Sequence, residues 1–492
     1  MKTQTMRTKL IPTNPLHDFP GKRAVLHFLV LAMMVFSATG QPQTTDLPEL
    51  GDSASRYLSS AQEAEIGQRF FRQLMRSRNF IEDYVLQDYL QSLGERIGAS
   101  ADLRGTKLYF NLIMDNRVNA FAVPGGYITF YTGLLTLTEE ESELASVVSH
   151  EIAHLTQRHL ARLIAKQSED KIPAVAALLG SILIGGQAGL AGATLTSATV
   201  ASNQLAYSRA FEREADAIGI QLLADSGYDP NSMVQFFRAL ETHSRHDQAG
   251  VYEFLQTHPL SLNRVSESES RASEYPPRTH TSSFEYHLAK AKIRALYMER
   301  NDHPEIFLED QITSDPEVKS DAAKYGLAVY LTRARNFSRA RSMLDSLASK
   351  YPGHPWIGVA QAENELADGH AGAAVSILED LLENHAPRPY LYYHMAQAYL
   401  ANKQPEQAKK FVRYQIRRNP QLFRLYEFLS RANANLGNLA EAHQAKAEYH
   451  AVLGNDPAAI ESLELALREA EPDGYLAQSL SARIAELKSG YR

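Results

Sequence analysis

The stretch Ser149-His150-Glu151-Ile152-Ala153-His154-Leu155 decides how this chain is to be read. It lies in a run whose apolar residues, Leu144, Val147 and Val148, recur at helical spacing. Thr138 followed by Glu139, Glu140 and Glu141 marks the helix start, with carboxylates at its positive end. Two imidazoles four residues apart then lie one turn apart, about 6 Å along the axis, on one face, where both can reach a single zinc ion. Glu151 is turned by about 100° from His150 and can approach a water on the metal instead of the metal itself, the placement a general base needs. The chain has no cysteine, which excludes disulfides, thiolate nucleophiles and Cys-ligated metal. Any metal must be held by His and carboxylates.

Downstream, the run Ser208-Arg209-Ala210-Phe211-Glu212-Arg213-Glu214-Ala215-Asp216 places Glu212 58 residues after His154. Glu212 and Asp216 are four apart on a predicted helix and share a face, Glu212 as third ligand and Asp216 as the acceptor that orients a ligating imidazole. Without the upstream motif, the same charges would be read as a solvated helix face. Upstream, residues 60–98 carry two amphipathic helical patterns. The segments Tyr109–Met114, Ala120–Val123 and Tyr127–Tyr131, with Pro124-Gly125-Gly126 between the last two, predict a small antiparallel sheet.

The second half follows another rule. At a period of 34 residues, blocks 321–354, 355–388, 389–422 and 423–456 place Ala328, Ala362, Ala396 and Ser430 at the eighth position. Ala340, Ala374, Ala408 and Ala442 stand at the twentieth. Leu344, Leu378 and Val412 follow four residues later. Small residues at fixed phase, where paired helices approach, resemble tetratricopeptide repeats, with helical patterns over 284–298 and 458–487 flanking them. The Ser-rich stretch 266–283, with Pro276-Pro277, reads as a linker.

S-R-x-x-E-x-x-A-D after H-E-x-x-H, with Asn119-Ala120-Phe121-Ala122-Val123-Pro124-Gly125-Gly126 before it, resembles the M48 family of zinc metallopeptidases over about residues 60–265. The resemblance implies a zincin-type protease domain at 41–265 and one zinc ion per chain on His150, His154 and Glu212. It further implies Glu151 as general base and Asp216 behind the ligands. The fold class expected is mainly α with a small β-sheet, the protease domain being followed by an α-solenoid over 284–492. Thr257-His258-Pro259 resembles a family motif near the active site, where His258 serves as fourth ligand or gate; a histidine on an exposed loop is the alternative. Residues 119–123 are a candidate edge strand for pairing with an extended substrate, with an ordinary core strand as the alternative.

Composition bounds the setting. With 50 Lys and Arg against 57 Asp and Glu, a net charge of -7 argues against nucleic acid as a partner. Lys22 and Arg23 before the apolar run 24–38, then Ala38-Thr39-Gly40, read as a cleavable signal peptide over residues 1–40. Signal, protease domain and repeats together resemble bacterial periplasmic proteases that enhance β-barrel assembly. That resemblance implies a periplasmic location and a role in degrading misfolded or stalled outer-membrane proteins and assisting their assembly. Its partners would be unfolded or stalled barrel proteins, with the repeats docking clients or the barrel-assembly complex. Residues 172–208 carry no charge and five glycines, which favours an apolar hairpin over the cleft and leaves peripheral membrane association open. The alternatives are a chaperone or scaffold with a largely repressed metal site and a membrane-integrated regulatory protease.

Overall fold

A short helix, α1 (Ser60–Met75), opens the computed structural model, which describes residues 59–77, 79–162, 209–244, 254–298 and 303–489. The leader expected over 1–40 and the uncharged stretch 172–208 lie outside the described residues. Ser59 accepts from the Gln62 N–H while the Gln62 side chain reaches back to the Ser59 N–H, so two orphan donors at the start of α1 are satisfied together. Helix α2 (Tyr84–Gly98) is capped by Asp83, which accepts from the N–H groups of Val85 and Leu86. It buries Val85, Leu86, Leu90, Leu93 and Ile97.

The sheet comprises β1 (Tyr109–Ile113), β2 (Ala120–Val123) and β3 (Tyr127–Tyr131) in the order β1-β3-β2. β2 and β3 form an antiparallel hairpin across Pro124-Gly125-Gly126. Gly125 and Gly126 have φ of 85° and 88°, and a Cβ on Gly126 would fall 1.9 Å from the Lys107 carbonyl oxygen, so only glycine fits. β1, however, runs parallel to β3, with Tyr109 opposite Tyr127 and Ile113 opposite Tyr131. The sheet is mixed and corrects the antiparallel expectation. No tight turn joins β1 to β3, so their relative direction is set by packing: the Phe110 ring lies so close to Gly94 of α2 that no Cβ would fit there.

After α3 (Thr132–Leu137) comes α4 (Glu141–Thr156), which carries the two predicted histidines and is buried from Glu141 to His154. α5 (Arg209–Asp225) crosses it closely: a Cβ at Gly219 would lie 3.4 Å from His150 Cα and 2.9 Å from the Met233 side chain. α6 (Ser232–Ser244), α7 (Phe254–Thr257) and α8 (Leu262–Ala272) complete this region. The stretch 266–283 is therefore not all linker, because it is helical as far as Ala272. Arg264, Ser268 and Ala272 of α8 are buried at four-residue intervals, and α8 packs on α5.

α9 (Phe284–Tyr297) and α10 (Pro304–Ser314) lead into four helix pairs. These are α11 (Glu317–Arg333) with α12 (Phe337–Lys350), α13 (Pro355–Ala367) with α14 (Ala371–Asn384), α15 (Pro389–Ala401) with α16 (Pro405–Arg418), and α17 (Phe423–Asn435) with α18 (Leu439–Val452). The second helices start at 337, 371, 405 and 439, so the 34-residue phase is structural. Ala328, Ala340, Ala362, Ala374, Ala396 and Ala408 are all buried where helices meet, and Ser430 Oγ donates to the Ala442 carbonyl at 2.8 Å. Leu344, Leu378 and Val412 are fully buried, each contributing about 1.5–3 kcal/mol of apolar transfer. α19 (Asp456–Glu469) and α20 (Tyr475–Ser489) follow. No described helix is long and apolar enough to cross a membrane.

The repeats share a core with the preceding region. One hydrophobic cluster runs from Ile81 through Trp356 to Ala398. Tyr84 packs on Tyr393 with ring centroids 4.8 Å apart, and Tyr89 meets Trp356 edge to face. Tyr286 Oη donates to the Thr138 carbonyl at 2.8 Å, Arg388 pairs with Asp88 at 2.7 Å, and Arg72 donates to the Leu453 carbonyl at 2.7 Å. Lys292 of α9 is buried with its Nζ 2.9 Å from Asp83 at the head of α2 and 3.9 Å from Glu363 of α13.

Candidate metal centre

Helices α4 and α5 present His150, His154 and Glu212 to one another, and α7 ends where His258 joins them. Five donor separations describe the cluster. His150 Nε2 is 3.0 Å from His154 Nε2, 3.5 Å from Glu212 Oε2 and 3.3 Å from His258 Nδ1. Glu212 Oε1 is 3.4 Å from His154 Nε2 and 3.1 Å from His258 Nδ1. A tetrahedral ion with bonds of about 2.0–2.1 Å requires ligand atoms about 3.3–3.4 Å apart, and these five separations lie close to that spacing, with one donor atom from each of the four residues within 4.8 Å of the others. All four residues are buried. Three buried carboxylates, Glu151, Glu212 and Asp216, stand at the cluster, and the buried Arg264 pairs with Glu212 and Asp216.

Each ligating side chain is held from behind. His150 Nδ1 lies 3.1 Å from Asp216 Oδ1, and Asp216 is gripped by Arg264 Nε at 2.7 Å and Nη2 at 2.8 Å. Arg264 Nη1 also lies 2.8 Å from Glu212 Oε2 and donates to the Pro259 carbonyl at 2.9 Å. On the other side, His154 Nδ1 is 2.8 Å from Nδ1 of His159, whose Nε2 is 3.3 Å from Glu214, and Arg162 pairs with Glu214 at 3.1 Å. Sequence reasoning missed Arg264, His159 and Glu214. The available signals were an Arg six residues after His258, a His five after His154, and a carboxylate two after Glu212.

Burial and charge set the protonation of the metal-free cluster. Burial disfavours the His150 imidazolium, but Asp216 and Glu212 outweigh it and hold its pKa up at about 10. Burial pushes His154 well below the ordinary value and lowers His159 to about 4. Burial would raise Glu212, but His258 and the hydrogen-bonded imidazoles prevail and hold it well below the usual carboxylate range. Burial raises Glu151, and His258, His150 and the Ala122 backbone partly offset the rise.

His258 is fully buried, stacked on Phe254 with centroids 4.6 Å apart, and its Nε2 is 3.5 Å from Glu151 Oε1. The exposed-loop alternative for this residue does not hold. β2 lies at an edge of the sheet, with Ala120, Phe121, Ala122 and Val123 all buried. Asn119 ahead of it is fully buried, its carbonyl accepting from the Tyr131 N–H at 3.0 Å.

The profile of Peptidase family M48 matches residues 85–272, and that of the tetratricopeptide repeat matches residues 365–432. The chain is 34% identical over 447 residues to the Beta-barrel assembly-enhancing protease of Yersinia pestis, which covers 90% of this chain and 91% of that one. It is 33% identical over 445 residues to the protein of the same name from Escherichia coli (strain K12), with the same two coverages. A mitochondrial metalloendopeptidase of Schizosaccharomyces pombe is 30% identical over 195 residues, spanning 39% of this chain and 55% of that protein.

Proposed function

The chain belongs to peptidase family M48 and is a metalloendopeptidase, and on that premise we propose that it is a zinc enzyme of the periplasm. It degrades misfolded or stalled outer-membrane β-barrel proteins and assists the assembly of others, with the repeats docking clients or the assembly machinery. The observation that carries the zinc reading is the near-tetrahedral spacing of His150, His154, Glu212 and His258 with Glu151 beside them. The names of relatives matched along nine-tenths of the chain support the barrel clients.

Zinc held by these residues would polarise a peptide carbonyl and acidify water. Glu151, whose pKa burial raises, takes the proton of the attacking water and returns it to the departing amine. No covalent intermediate is needed. β2 is an edge strand whose Ala122 lies beside Glu151, so a substrate strand paired with it runs across the base and the metal. His258 would be a fourth ligand to zinc held here and would leave no open position, so substrate would have to displace that imidazole. This closed set is also what favours the second reading, a scaffold with its metal site largely repressed.

The test compares full-length wild type with Glu151→Gln for zinc content and for cleavage of an unfolded barrel protein. Both should hold one zinc per chain, and the variant should lose about 10²–10⁴-fold in rate. Zinc-loaded Glu151→Gln cleaving at the wild-type rate overturns the mechanism. Crosslinking from α12 to α18 in the native envelope identifies what the repeats hold, and recovery of no barrel protein or assembly component overturns the client assignment.

A further inference from the structure

The two ligand histidines are supported differently. His150 rests on a carboxylate clamped by a guanidinium, the arrangement expected for a ligating imidazole. His154 rests on a second imidazole. His159 is fully buried, lies nearly parallel to Phe211 with ring centroids 4.5 Å apart, and meets His154 edge to face. For His154 to present the lone pair of Nε2 to a cation, its proton must sit on Nδ1, and the group facing that proton must accept it. The facing atom is His159 Nδ1 at 2.8 Å. That assignment puts the His159 proton on Nε2, where Glu214 stands 3.3 Å away to accept it. Arg162, itself 4.5 Å over the Phe211 ring, closes the series on Glu214. In that arrangement each donor of the series meets an acceptor, and the His154 Nε2 lone pair faces His150 and Glu212 across the cluster.

We propose that His159 is a positioning residue for the metal centre: it fixes the Nδ1–H tautomer and the ring orientation of His154, with Glu214 and Arg162 as its anchor. The inference rests on the reading of His154 as a zinc ligand. Both parts of the anchor frame the stretch 163–208, Arg162 on one side and Glu214 of α5 on the other, so the series also ties the end of the histidine helix region to α5. A packing residue alone would need only the flat ring that Phe211 stacks against.

The experiment uses the full chain and reads zinc affinity by competition with a chromophoric chelator, together with the visible spectrum of the cobalt-substituted protein. His159→Phe keeps the ring and its stack on Phe211 and removes the acceptor. It should weaken zinc binding about 10–100-fold and change the cobalt spectrum. His159→Gln, which restores an acceptor and a donor, should recover part of the affinity. Glu214→Gln, which leaves the ring in place, should weaken binding by a smaller factor and serves as the deciding variant if His159→Phe does not fold. Wild-type affinity and spectrum in His159→Phe, or in Glu214→Gln where that variant decides, overturn the proposal. A wild-type chain that binds no zinc would instead overturn the reading of the site on which it stands.

Discussion

Two constellations of charge among the described residues, one at the junction with the repeats and one at the candidate metal centre, are wired in opposite ways. At the junction with the repeats, Lys292 faces Asp83 and Glu363, and His394 Nε2 lies 3.1 Å from Glu363 Oε1. Every cation there meets an anion, and although burial would raise Glu363, Lys292 and His394 hold it down at about 2. At the candidate metal centre, donor atoms of His150, His154, Glu212 and His258 lie within 4.8 Å of one another, with Asp216 and His159 against the far sides of the two α4 imidazoles. Paired charge at the junction fixes how elements meet, whereas convergent lone pairs at the centre need a cation. The first constellation serves architecture and the second chemistry.

The largest test removes one of them altogether. Deleting 284–492 takes away Lys292, Glu363 and the partners of Tyr84 and Tyr89, and lays open the shared core. The remaining chain should lose its cooperative fold and its metal binding. Native zinc affinity in that truncated chain, measured by chelator competition, would show that the junction is dispensable and break the comparison.

Lys292→Met removes the charge while keeping most of the volume, and takes the buried cation away from Asp83. It should cost about 3–5 kcal/mol of stability by denaturant unfolding, with zinc affinity of the folded protein unchanged. A change confined to zinc affinity would mean the two constellations are one. The smallest effect is expected at His258. His258→Ala opens the fourth position, so peptide hydrolysis at equal zinc occupancy should rise several-fold with little change in stability. Equal activity would count against gating, and a sharp loss would assign His258 to transition-state stabilisation.

The legible parts of the sequence were those whose spacing matches a local geometry. H-E-x-x-H and Glu212 with Asp216 each lie one helical turn apart, so each pair had to share a face wherever its helix went. The repeat phase was legible because alanines at 34-residue intervals have one physical use, close helix packing. α8 was read as part of a linker because its buried stripe is Arg264, Ser268 and Ala272, which carries no apolar signal; only the carboxylates of Asp216 and Glu212 make Arg264 an interior residue. β1 was given the wrong direction because strand pairing depends on which surfaces meet, and β2 intervenes between β1 and β3.

By itself, then, the sequence determined the helical class, the repeat period and the shared faces of His150 with His154 and of Glu212 with Asp216, since all of these are periodicities within single helices. The tertiary structure decided the closure of the donor set by His258, the support of His154 by His159, and the fusion of the repeats to the protease core through Lys292. Each of these joins residues far apart in the chain, and such contacts are chosen by burial, which pairs whatever polar groups packing brings together and leaves no mark in local spacing.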